Sequence, residues 1–167
     1  MNIPNPHWPR WIFASVADYF KQVASGINRP ILIEGIDERE AEKIRANDHV
    51  EFRLNGPAVT ELSRGYFRLD VDVNLLLTSM MGGQTRNAYD IVQQAGIFLQ
   101  AATGPISVIK WGEGPEDDAA LLGCLTLRSG KRDAVRVIHF GQISRDDRIR
   151  QSAVDARYHL FLSTNGE

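Results

Sequence analysis

Between Phe67 and Leu77 the chain alternates with a period of two. Phe67, Leu69, Val71, Val73, Leu75 and Leu77 hold one parity, while Arg68, Asp70, Asp72, Asn74 and Thr78 hold the other. Only Tyr66 and Leu76 break the rule. Successive side chains of a strand point to opposite faces, so this pattern demands a strand with one face on a core and the other largely in water. Read as Tyr66–Ser79, it spans roughly 45 Å at about 3.4 Å per residue. A strand that long fits only a sheet-based fold. It is expected to project beyond its sheet or to bend at a bulge.

The remaining signals fill in around that strand. Pro9 suits the first turn of a helix. Ile12, Val16, Tyr19, Phe20, Val23 and Ile27 follow at helical spacing, with Gly26 as the expected stop. Ile31–Glu34 reads as a short strand, and Asp37–Arg45 as an exposed helical turn or mobile loop. Val50, Phe52 and Leu54 alternate like a half-buried strand. Asn55-Gly56-Pro57 then reads as a turn before a second short strand, Ala58–Leu62. A second helix runs from an N-cap at Asn87 to Gly104-Pro105, burying Ala88, Ile91, Val92, Ala95, Leu99 and Ala102. The last third reads as strands at Ile106–Trp111, Leu121–Arg128, Val135–Ile143 and Ala153–Ser163. The turn Ser129-Gly130-Lys131 is expected to make the middle two a hairpin. The fold class expected is α+β: a mostly antiparallel sheet with one long strand and two main helices packed on one face. Residues 1–167 are expected to form one domain, opened by an extended segment rich in proline over residues 1–10.

Charge and cysteine narrow the function classes. There are 19 basic and 21 acidic residues, a formal charge of −2. That leaves no basic excess to neutralise phosphates, which disfavours a DNA-binding adaptor. The one cysteine, Cys124, lies in an apolar stretch and is expected to be a small buried hydrophobe. The first ten residues lack the basic-then-apolar plan of a signal peptide, and no apolar run approaches a bilayer span. An intracellular protein is the expectation.

Catalytic patterns are sparse. Asp70, Asp72 and Asn74 share one strand face and could offer oxygen ligands to Mg²⁺ or Ca²⁺, the basis for a metal-dependent hydrolase or nuclease. The competing account is the ordinary wet face of an antiparallel strand, and it is preferred. Asp117-Asp118 and Asp146-Asp147 sit in charge-rich connections. His7, His49, His139 and His159 show no zinc spacing, although His139 and His159 could meet on neighbouring strands. No nucleophile elbow, P-loop or dinucleotide fingerprint occurs. Trp8, Trp11 and Trp111 are read as packing residues. No cofactor, metal or catalytic residue is expected.

Phe140-Gly-Gln-Ile-Ser-Arg-Asp-Asp followed by Ser152-Ala-Val-Asp-Ala-Arg-Tyr-His-Leu-Phe-Leu resembles the closing hairpin of the tail terminator proteins of long-tailed phages. Arg68–Leu77 followed by Asn87–Ala102 is similar to their central strand and second helix. The resemblance covers about Tyr66–Ser163 with gaps. The chain departs from the smaller members by a longer N-terminal segment and an insertion at Ile106–Leu127. The resemblance implies a virion structural protein: a subunit of a hexameric ring on the last ring of the tail tube, at the head-proximal end, assembled in the host cytoplasm. Such a ring stops tube polymerisation and joins the tube to the head connector, and phage DNA passes through it without specific binding. A near-neutral chain suits that passage, since a basic lumen would retain DNA. The interface residues expected on this reading are Asp70, Asp72, Asn74, Met80, Met81, Arg145, Asp146, Asp147 and Arg148. Its long strand is expected to reach a neighbour through Asn74–Ser79. The nearest alternatives are another head–tail connector or completion protein, or a tail tube subunit.

Overall fold

The long strand is the centre of the molecule. The computed structural model describes residues 5–37, 39–80, 85–111, 119–128, 134–142 and 149–163. In it β3 (Tyr66–Ser79) is flanked along its whole length by β2 (His49–Ser63) and β7 (Arg150–Ser163), both antiparallel to it. It therefore does not project. Its last residues, expected to reach outward, are among the best covered: Leu75, Leu77, Thr78 and Ser79 are all buried.

The expected fold class is overturned. Strands make up 50% and helices 30% of the structure, which is mostly β, and the sheet is a curled, mixed half-barrel with three helices. Two features escaped the periodicity. First, β1 (Ile31–Ile33) lies parallel to β2, with α2 (Ala41–Arg45) in the connection. Alternation reports which face a residue occupies, and says nothing of strand direction. Second, Asn55-Gly56-Pro57 is not a turn. It is a bulge inside one continuous β2, where the register against β3 shifts between Asn55 and Ala58. Gly56 takes φ +110° there, and a Cβ on it would lie 2.8 Å from the Asp70 carbonyl oxygen. Glycine permits both the backbone and the close approach. Further bulges in β2, in the β4–β5 pair and in β6 add the local twist that curls the sheet.

The other edge of β7 is shared. β6 (Val135–Gln142) pairs with its first half, and Thr126–Leu127 of β5 (Ala120–Leu127) pairs beyond it. β4 (Ile106–Lys110) completes the sheet by pairing with β5. The expected hairpin between β5 and β6 is thus absent: both lie against β7. Arg128 donates its N–H to the Arg157 carbonyl and Arg157 donates its own to Ala134, so the chain steps along one edge.

Two long helices cover the inner face. α1 (Trp8–Gly26) packs on β4 and β2; α3 (Thr85–Thr103) packs on β7, β6 and β3. Ile12, Val16, Phe20 and Ala24 of α1 are buried, as are Ile91, Ala95, Phe98 and Ala102 of α3. Val92, expected inside, is exposed, and Phe98 fills the stripe instead. Phe20 bridges the layers, with ring centroids 6.2 Å from Phe52 and 6.4 Å from Phe98. The left-handed residue after α1 is Asn28, at φ 54°, rather than Gly26. Trp8 and Trp11 are buried as expected, whereas Trp111 is exposed. Cys124, expected to be buried, is exposed; β5 joins β7 at Thr126 and Leu127, further along the strand. No helix among the described residues is long and apolar enough to cross a membrane.

Candidate functional site

The outer face of the sheet collects the polar parity of four strands. Register places Arg53, Asn74, Asp155 and Arg136 in one row across β2, β3, β7 and β6. Asn55, Asp72 and Arg157 form the next row. Together they line an open trough of about 390 Å³. Asn74 Nδ2 donates to Asp155 Oδ1, and Arg136 Nε donates to Asp155 Oδ2 at 3.0 Å. Arg157 Nε lies 3.8 Å from Asp72 Oδ1, and Arg53 Nε lies 3.1 Å from Glu34 Oε2.

Beyond the trough, Arg68 Nε donates to Asp70 Oδ2 at 2.9 Å. Asp70 Oδ1 is buried with no hydrogen-bond partner. His159 is the cross-strand neighbour of Asp70, and its ring lies 4.9 Å from that of Phe161. Tyr66 and Phe161 stack with nearly parallel rings 5.9 Å apart and stay exposed.

Asp70, Asp72 and Asn74 therefore share a face, as the alternation requires, but each meets its own partner. The two aspartates face arginines, and Asn74 faces Asp155. A cation there competes with guanidinium groups already in place. Among the described residues no group of three or more His, Cys, Asp or Glu side chains is placed to hold a metal. His139 and His159 do not meet: His139 Nδ1 lies 2.8 Å from Ser152 Oγ, and His159 stands between Asp70 and Thr126.

Met80 lies elsewhere, at the end of the sheet. Its N–H donates to Asp48 Oδ1 at 2.8 Å. Asp48 also lies 3.5 Å from the buried Arg29, whose Nη1 donates to the Thr78 carbonyl at 2.8 Å. Burial lowers the Arg29 guanidinium pKa, and the charges of Asp48 and Asp90 oppose that shift. Met81, Arg145, Asp146, Asp147 and Arg148 lie outside the described residues, as do Asp117 and Asp118. The residues flanking the Arg145–Arg148 segment are placed: Gln142 pairs with Arg150, and Arg150 pairs with Ser79.

Sequence reasoning missed Arg136, Asp155 and Arg157. Their signal was the polar parity of β7, opposite Val154, Ala156 and Tyr158, and the same alternation in β6. It read Ala58–Leu62 as a strand but gave this distal half of β2 no functional role. Beyond Phe52 no strand pairs with its outer edge among the described residues, and Val59 and Leu62 are 51% and 47% exposed. Val59 continues the core parity of Phe52 and Leu54 after the bulge, but is exposed. No protein-family model matches the chain, and no curated protein matches it.

Proposed function

We propose that this chain is a structural subunit of a phage virion, a tail terminator that forms a ring on the end of the tail tube. One observation carries the reading: the β2–β3 hairpin extends past β1 with an edge that no strand pairs among the described residues. Unpaired N–H and C=O groups along a strand are a template for another chain, and soluble monomers usually cover or break such edges. A ring subunit needs a surface of this kind.

The outer trough supports the same reading. Its charges are mutually paired, so it presents a patterned polar surface with little net field. Such a surface favours register and partner choice over tight anion binding. In this proposal the partners are other copies of the chain, the tail tube protein and the head connector, with DNA passing through the ring. Its place is the head-proximal end of the virion tail, after assembly in the host cytoplasm.

The test is mass in solution by native mass spectrometry, with electron microscopy of the protein alone and mixed with tail tubes. A closed ring that caps tubes is expected. Long tubes made of this chain would instead identify a tube subunit. A persistent monomer that never caps tubes would overturn the reading.

A further inference from the structure

We propose that copies of this chain join head to tail through antiparallel pairing of the distal edge of β2 with the outer edge of β6 on the next copy. One sheet then runs continuously through the assembly. The proposal deepens the ring reading above and rests on it.

Backbone direction comes first. β2, β3, β7 and β6 are antiparallel in succession, so β6 runs opposite to β2. A second copy added in the same sense lays its β6 antiparallel to the first copy's β2, and no strand has to reverse.

The hydrogen-bonding groups also match. Val50 donates its N–H to the Pro30 carbonyl, and the Phe52 carbonyl accepts from Glu34. That parity of β2 therefore turns its peptide groups away from β3. Followed across the bulge through its partners on β3, it falls on Val59 and Glu61, opposite Leu69 and Phe67. On the other side, Arg157 donates its N–H to the Ala134 carbonyl. The parity of β7 that includes Arg157 and Asp155 thus faces β6. Arg136 is bonded inward, and Val135, Val137 and His139 turn their peptide groups outward. Both outward sets carry their side chains on the inner face of the sheet. Two such sets form a hydrogen-bonded antiparallel pair without twisting either strand over.

Among the described residues, the fold protects its other edges and pairs no strand with these two. β4 lies against α1, and Ser15 Oγ takes the Ile109 N–H. β1 is only 3 residues long. Ala58–Ser63 and Val135–Phe140 contain no lysine and no proline, the usual guards of an exposed strand. The segments are equal in length. Each adds exposed apolar surface, Val59 and Leu62 against Phe140. These complements lie on one molecule, which points to a second copy as the occupant.

Disulfide trapping tests it. Hydrogen-bonded antiparallel residues have Cα atoms about 5.5 Å apart, within disulfide range. In a Cys124→Ser background, Val59→Cys is combined in turn with Val135→Cys, Val137→Cys or His139→Cys, which samples three adjacent registers. Each variant is checked for native circular dichroism and for mass. Mild oxidation is expected to give a ladder of covalent multimers for one pairing, and none for any single-cysteine variant. Covalent dimers from Val59→Cys alone would show β2 pairing with itself and overturn the proposal. An intact ring with no ladder in any register would overturn the pairing while leaving the ring reading in place. A monomer under all conditions would remove both. Hydrogen exchange of the unmodified protein gives a second readout: the Val59 and Glu61 amides should slow at least about tenfold on assembly. Equal exchange in ring and monomer refutes the pairing.

Discussion

Ser15 Oγ accepts a hydrogen bond from the Ile109 backbone N–H at 2.9 Å, so a helix side chain closes the outer edge of a strand. Ser15 is buried. Ser15→Ala is expected to leave the N–H unpaired and cost about 1–2 kcal/mol. Ser15→Thr keeps the oxygen and should recover part of the loss. Urea denaturation with an unchanged slope checks both.

Tyr158 is fully buried, and its hydroxyl donates to the Ala102 carbonyl at 2.8 Å in the last turn of α3. Burial pushes the phenol pKa above its ordinary value of 10, and nearby Tyr19 adds to the shift. The sign follows from linkage: the unfolded chain gives up this proton first. Stability from this group is fully present below about pH 10 and falls as the pH rises beyond it. Tyr158→Phe should cost about 1 kcal/mol at neutral pH and flatten the alkaline decline. A denaturation series across alkaline pH measures both effects.

Arg29 joins the end of α1 to the ends of β2 and β3 through Thr78 and Asp48. Arg29→Ala is expected to cost about 2–4 kcal/mol, since it strands the Thr78 carbonyl and removes a buried charge from its partner. Asp48→Asn should cost less, because Asp48 is more exposed than Arg29. It should still loosen Met80, read as faster exchange of the Met80 amide.

Gly56 and Gly26 should respond in opposite directions. A methyl group at Gly56 meets the Asp70 carbonyl in a left-handed backbone conformation. Gly56→Ala is therefore expected to destabilise by about 1–3 kcal/mol. At Gly26 nothing lies within 4 Å of an added Cβ. Gly26→Ala should be neutral or stabilise the end of α1 by up to about 1 kcal/mol. Thermal unfolding of the two variants side by side decides this.

The sequence exposed faces well and neighbours poorly. Alternation identified β3 to its ends, because one buried face imposes a strict period of two. The helical stripe of α1 was equally plain. Strand order was not, because hydrogen bonds between strands leave no mark on side-chain pattern. Hence β5 and β6 read as a hairpin although both lie on β7. Gly56-Pro57 read as a turn because bulges and turns recruit the same residues. The polar row through Asp72 and Asn74 was legible on β3, while its partners Arg157 and Asp155 needed the register. The open edge of β2 depends on how short β1 is, a tertiary fact.

The bulge at Gly56 also divides labour along one strand. Before it, β2 carries Val50 and Phe52 into the core, where truncation to alanine is expected to cost about 2–5 kcal/mol. After it, Ala58–Ser63 are exposed and contribute little to the domain's own stability. Selection can therefore rewrite those six positions almost independently of folding. A lineage could exchange one set of neighbours for another by drift in a single short segment, while the remainder of the domain stays fixed.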